Sequence, residues 1–218
     1  MKFKILNKIY SFRELYLLKK SILNTFVKPK KIKNYIITKK AILFKKVNSK
    51  NYPIGLMIDP SSYCNLKCEM CRYQRKDIKR GYLGFEEFKK VIDEVGDYLF
   101  YLMLWNAGEP LLNKDIFKMI KYAKSKNIFV VVTSNILALN EKMVDEMIDS
   151  NLDYLNMSFT GATKETYEKY SKGGNFDKVI KNIKLIVKRK KEKDAKKPFL
   201  DLQCVIMKEN EKELEDFK

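Results

Sequence analysis

From Tyr52 onward the chain alternates short apolar runs with longer amphipathic ones, a pattern that leaves few folds open. Gly55–Ile58, Tyr101–Trp105, Ile128–Thr133, Tyr154–Phe159 and Phe199–Met207 are bounded by turn residues and read as strands covered on both faces. Between them, Phe85–Val95, Asp115–Lys126, Glu141–Asp149 and Asp177–Lys191 read as helices. The last has the clearest period, with Val179, Ile180, Ile183, Ile186 and Val187 on one face beside Phe176. Asn113, Asn140, Thr163 and Asn175 stand where N-caps belong. Each right-handed crossover packs its helix onto the sheet, so repeated units predict an α/β fold with parallel strands inside and helices outside. About five to six strands do not close an eight-stranded barrel. The expected architecture is an open partial (βα) barrel with its functional loops at the strands' C-terminal ends.

The first fifty residues are of another kind. They hold 15 Lys or Arg against one acid, Glu14, for a net charge of +14 out of +18 for the whole chain. Residues 3–27 place Ile5, Ile9, Phe12, Leu15, Leu18, Ile22 and Phe26 at helical spacing, and Pro29 is expected to stop that helix. A second basic helix is expected over roughly 31–46, followed by a polar linker at 48–51. The chain thus divides into a basic helical N-terminal extension, 1–50, and a domain, 51–218. No apolar stretch reaches spanning length, and Lys8 and Arg13 interrupt what would be a signal-peptide core, so a cytoplasmic location is expected.

Chemistry concentrates in Cys64-Asn65-Leu66-Lys67-Cys68-Glu69-Met70-Cys71, directly after the first strand. Four cysteines are too few for a disulfide framework in a chain of 218 residues. With no histidine present, His-based triads and His-bearing zinc sites are excluded. Three thiolates on one short loop can ligate three irons of a cubane cluster and leave the fourth without a protein ligand. Two other readings stay open on spacing alone. Positions i, i+4 and i+7 also make a stripe of core cysteines on one helix face. Zinc is the other, though it ordinarily takes four ligands.

The C-x3-C-x2-C spacing after the first strand resembles the radical S-adenosylmethionine (SAM) superfamily. Further motifs follow in the family's order. Trp105-Asn106-Ala107-Gly108-Glu109-Pro110 resembles its Gly-Gly-Glu motif, with Ala107 at the usual first glycine; a left-handed backbone there would cost on the order of 1 kcal/mol. Thr133-Ser134-Asn135 is similar to Thr-Asn-Gly without the glycine, and Ser158 closes the fourth strand. Ser171 stands where relatives commonly carry Arg, and Leu202–Met207 with Asn210 and Glu213 matches the family's adenine-side strand. The resemblance covers roughly residues 52–218.

What the resemblance implies is specific. Cys64, Cys68 and Cys71 would hold a [4Fe-4S] cluster. Met70, Gly108, Glu109, Asn135 and Ser158 would contact S-adenosyl-L-methionine, with Gly108 and Glu109 receiving its ammonium and Met70 its adenine. Reductive cleavage would give a 5′-deoxyadenosyl radical, with the electron from a ferredoxin- or flavodoxin-type donor and a peptide or small molecule as substrate. For Met70 a core-filling role, and for Asn135 and Ser158 plain structural roles, stay open beside these. The chain looks most like members that continue into a cysteine-rich SPASM-type domain, so it reads as a C-terminally incomplete core, with three alternatives open: a truncated fragment, a split protein whose barrel a separate subunit completes, or a minimal protein. Other classes stay in view: a truncated or non-catalytic Fe–S/SAM-binding subunit, and a nucleic-acid-binding protein acting through the basic arm. Residues 1–50 are also weighed as a membrane-surface contact, an RNA contact, or a helix packed on its own domain. No general acid or base stands out, and Tyr73 and Cys204 are candidates for quenching a substrate radical.

Overall fold

The computed structural model describes residues 19, 28–46, 50–71, 79–208 and 210–217. The elements run α1 (Pro29–Leu43), β1 (Gly55–Ile58), α2 (Phe85–Val95), β2 (Tyr101–Leu104), α3 (Ile116–Ser125), β3 (Phe129–Ser134), α4 (Glu141–Asp149), β4 (Tyr154–Phe159), α5 (Lys164–Tyr170), α6 (Phe176–Glu192) and β5 (Phe199–Cys204). Short 3₁₀ turns occupy Pro110–Leu112 and Glu211–Phe217. All strand pairs are parallel and the spatial order is the chain order, β1-β2-β3-β4-β5. This is the expected open α/β sheet with outer helices, a partial (βα) barrel.

Alternation along the strands sorts side chains to two faces. Leu102, Leu104, Val130, Val132, Leu155 and Met157 join the main core with Ile92, Ile120, Val144 and Ile186 from the helices. The opposite, concave face carries a smaller cluster of Tyr101, Phe129 and Val131, joined by Phe100 from just before β2. Only the middle strands are covered on both faces. Edge strands β1 and β5 are half-exposed, because among the described residues each has one neighbouring strand, and this corrects the expectation that every strand is buried. Strand β5 also ends at Cys204, three residues short of the predicted Met207.

Asn140, Thr163 and Asn175 cap their helices by accepting from Met143, Thr166 and Lys178 N–H groups. Asn113 does not cap α3, whose N-cap is Asp115. The Asn113 side chain is buried instead, and its Nδ2 donates to Pro60 O at 2.7 Å and Leu83 O at 2.9 Å, tying the β2 and β1 loops together.

The helix predicted near 31–46 is α1. It lies against the N-terminal end of the sheet, with Tyr35 edge-on to Phe100 at 5.9 Å and fully buried Lys31 donating to Asn127 O at 2.6 Å. Asn34 exchanges two hydrogen bonds with the Tyr52 backbone, and Asn51 donates to Thr38, so the expected linker is pinned at its C-terminal end. The outward stripe of α1 is apolar, Ile32, Ile36 and Leu43. The amphipathic segment 3–27 lies outside the described residues, apart from Lys19, which is helical. Among the described residues no helix is long and apolar enough to cross a membrane.

Candidate active site

Residues at the C-terminal ends of β1 to β4 surround a cavity of about 240 Å³. All three clustered cysteines line it, together with Gly108 and Glu109 after β2, Asn135 after β3 and Ser158 in β4. Sites separated by up to 107 positions in the chain, the distance from Cys64 to Ser171, meet here.

The cysteine loop is not a helix: residues 61–71 run as bends, turns and irregular backbone, so the helix-stripe reading fails. Its path is set by anchors. Leu66 inserts into the main core, and Lys67 and Glu69 N–H groups donate to the carbonyls of Lys172 and Tyr170 at 2.8 and 3.1 Å. Cys71 N donates to Cys68 O at 3.1 Å, turning the last cysteine back toward the other two. Among the described residues, no three Cys, Asp or Glu side chains converge as ligands of one metal ion.

The thiols sit in an environment that opposes charge until a cation arrives. Cys64 is exposed as a residue, yet its sulfur accepts from Leu66 N at 3.4 Å and lies 3.8 Å from Asn135 Nδ2. Burial pushes the Cys64 thiol pKa up; the Leu66 N–H works against this, and Glu109, Cys68 and Cys71 add to the rise. Burial raises Cys68 as well, opposed by a hydrogen bond with Ser171. A coordinated metal reverses that logic, because a bound thiol is deprotonated outright. The donor set fits a [4Fe-4S] cluster: three sulfurs from one loop line the cavity, and no fourth cysteine does. Cys204 ends β5 beside Asn210 Nδ2, at 3.5 Å, and does not line the cavity.

Glu109 joins two walls. Its carboxylate is buried and accepts from Leu111 N at 3.0 Å, Ser134 Oγ at 2.6 Å and Asn135 N at 2.8 Å. Burial pushes its pKa up, and those three donors pull it back. Gly108 explains itself by contact: a Cβ there would stand 2.0 Å from Ser61 O and 2.6 Å from Tyr63 O, both backbone atoms. The close approach of Gly108 is therefore to the β1 loop, where Glu109 N donates to Tyr63 O at 2.8 Å. Ala107 is not left-handed, so its Cβ carries no such penalty. Its N–H donates to Asp59 Oδ2 at 3.2 Å.

The turn that follows the third motif is strained. Ile136 follows Asn135 with φ of 54°, a conformation that a β-branched residue reaches only under strain. It is fully buried, and its carbonyl accepts from Asn182 Nδ2 at 2.8 Å, so packing and a buried hydrogen bond hold it. Asn135 itself spans the site, donating to Asn65 Oδ1 at 2.8 Å.

Met70 is 40% exposed and stands outside the cavity lining. Ser158 lines the cavity from an exposed position. Tyr73 lies outside the described residues. Sequence reasoning missed Thr160 and Ser171 as a buried pair: their hydroxyls lie 2.8 Å apart on the cavity wall near Cys68. It also missed Asp59, for which the adjoining Pro60, marking the end of β1, was the one available signal.

Comparison with known proteins decides the family. A family model described as the Radical SAM superfamily matches residues 58–218. The chain belongs to the radical SAM superfamily. Radical SAM proteins use a [4Fe-4S] cluster and SAM, which the three-sulfur cavity suits. Among curated relatives, Fe-coproporphyrin III synthase of Methanosarcina barkeri is 31% identical over 122 residues, 55% of this chain and 30% of that protein. A tungsten-containing aldehyde ferredoxin oxidoreductase cofactor-modifying protein of Pyrococcus furiosus is 26% identical over 165 residues, 73% of this chain and 45% of that one. The chain thus spans less than half the length of either relative. SuiB of Streptococcus suis, bound to the precursor peptide SuiA, shares the fold with a TM-score of 0.65 at 19% identity, over 83% of this chain and 39% of SuiB. The same protein bound to S-adenosylmethionine gives 0.64 at 22% identity, over 83% and 41%.

Proposed function

We propose that this radical SAM chain holds a [4Fe-4S] cluster on Cys64, Cys68 and Cys71 and cleaves SAM reductively to initiate hydrogen abstraction from a peptide or small-molecule substrate. The observation that carries this reading is the meeting of all three cysteines with Glu109, Asn135 and Ser158 on one cavity. When bound, the cluster supplies an open iron and an electron for cleaving the sulfonium of SAM.

The chain's own residues position and shield. Glu109 holds the β2 and β3 loops at a fixed spacing, and a carboxylate has about four acceptor sites, so one stays open to an ammonium. The Asn135 amide sits beside the Cys64 sulfur and can donate to it, and the Thr160–Ser171 hydroxyl pair does the same work beside Cys68. Gly108 lets the second loop close on the first, and Leu66 anchors the cysteine loop in the core, which limits water at the base of the site. Peptide modification draws support from the fold shared with SuiB, bound to its precursor peptide, while the curated relatives are named for porphyrin and tungsten-cofactor chemistry. A ferredoxin- or flavodoxin-type protein is the proposed electron donor.

We read residues 1–50 as an extension and 51–218 as the core. Within the extension, burial of Lys31 and pairing of Lys28 and Lys30 with Asp97 support α1 as the floor of its own domain over a free nucleic-acid arm. The test is anaerobic reconstitution with iron and sulfide, followed by reduction in the presence of SAM. Brown protein that forms 5′-deoxyadenosine and methionine is expected. Protein that stays colourless, or a confirmed cluster that leaves SAM intact, refutes the reading.

A further inference from the structure

The concave face of the sheet carries a transverse row of polar side chains that the cysteine loop does not use. Register defines it. Thr133 pairs with Asn156, and Asn156 with Asp201. One step beyond the last pairs of β1 and β2, Ile58 with Leu104 and Leu104 with Val132, Asp59 and Trp105 fall in line with Thr133. Residues paired across parallel strands share a face. The row beneath is Met103, Val131, Tyr154 and Phe199, and the row above contains Ser158 and Gln203. A polar stripe therefore lies between the aromatic floor of the barrel and the cavity mouth.

Three atoms of this stripe, Asp59 Oδ1, Thr133 Oγ1 and Asn156 Oδ1, are buried with no partner at hydrogen-bond geometry, although the Asp59 carboxylate as a whole also faces the backbone N–H groups of Ala107, Gly108 and Ser61. Buried polar atoms in native proteins nearly always have partners, so three in one line call for a missing one. Asn156 is 1% exposed, and its Nδ2 donates to Gln203, a flexible and exposed side chain that can swing aside. Thr133 lines the cavity, which connects the stripe to the cysteine site. At the β5 end, Asp201 accepts from Tyr154 OH at 2.7 Å through Oδ2 and remains partly exposed.

The chemistry of the stripe selects a partner. It offers two carboxylates, an amide, a hydroxyl and the Trp105 indole, and none of the residues in the row, the row beneath or the Ser158–Gln203 pair above is Lys or Arg. An anionic ligand finds two carboxylates there and no counter-charge; a cationic nitrogen group finds both acceptors and opposite charge. We propose that Asp59, Thr133, Asn156 and Asp201 form a substrate subsite for an amine or guanidinium, such as a lysine or arginine side chain of a peptide. The inference deepens the proposed function and rests on the reading of the adjoining cavity as the SAM site.

Isothermal titration of the reconstituted full chain with agmatine, an amine and guanidinium in one small molecule, tests it, with glutarate as the anionic control and each titration repeated with SAM present. Agmatine is expected to bind and glutarate not. Asp201→Asn, at a partly exposed edge strand, should weaken agmatine by roughly tenfold. Thr133→Val, close in size, should weaken it as well and serves if the first variant misfolds. Equal binding of glutarate, agmatine affinity unchanged in both variants, or displacement of agmatine by SAM overturns the subsite. The parent reading fails separately: wild-type protein with a full cluster would then leave SAM uncleaved, whatever agmatine does.

Discussion

Replacing Lys31 by Met should change the stability of the domain by an amount that depends on pH. Lys31 is fully buried under α1, with its Nζ donating to Asn127 O at 2.6 Å and lying 6.0 Å from the centre of the Phe100 ring. Burial lowers its pKa from 10.5 to about 8, nearby Lys28 pushes the same way, and Asp97 partly opposes them. The folded value lies below the unfolded one, so between them the unfolded chain binds more protons and stability rises with pH. At about 1.4 kcal/mol per pKa unit, burying Lys31 costs roughly 3 kcal/mol near pH 7, where it stays charged, and roughly 1.4 near pH 9.5, where it gives up its proton on folding. Methionine keeps the length of the side chain, removes that penalty and forfeits one hydrogen bond worth about 1 kcal/mol. The variant should thus be more stable than wild type by roughly 2 kcal/mol near pH 7 and by less than about 1 near pH 9.5. Urea denaturation at the two pH values, followed by far-ultraviolet circular dichroism, reads both numbers. A variant whose advantage is the same at both pH values, or which is destabilised at neutral pH, refutes the reasoning.

Other perturbations have equally direct outcomes. Gly108→Ala drives a methyl group into two backbone carbonyls of the cysteine loop, so iron and sulfide uptake, followed by visible absorbance and iron analysis, should fall to background while most of the helical signal persists. Asp153→Ala leaves Lys124, Lys197 and the Val130 N–H without their buried acceptor and should cost about 3–5 kcal/mol in urea denaturation; a loss below about 1 would mean the cluster is dispensable. Cys204→Ala should retain the wild-type iron content, and Cys68→Ala should not; equal iron in both variants would remove the three-sulfur assignment. Ile136→Gly relieves the left-handed strain but empties a fully buried site, and it should destabilise by about 1–3 kcal/mol, since a lost core side chain outweighs the 1–2 kcal/mol of strain.

Much of this protein is local in origin and was legible before any tertiary information. Hydrophobic period and caps located the helices, with Glu141–Asp149 and Phe85–Val95 matching to the residue, because each depends on neighbours within a few positions. Repeated βα units dictated parallel strands, and the cysteine spacing together with Gly108-Glu109 pointed to the family. Those motifs are short segments whose chemistry depends on residue type at close range. Tertiary structure decided what distant segments do to one another. It turned Asn113 from an expected cap into a buried tie between loops, made α1 the floor of the barrel, and set Met70 outside the cavity. It also brought Thr160 and Ser171 together and aligned Asp59, Thr133, Asn156 and Asp201 across four strands. Strand register and burial depend on how separate elements pack, so no local pattern in the chain encodes such a row on its own.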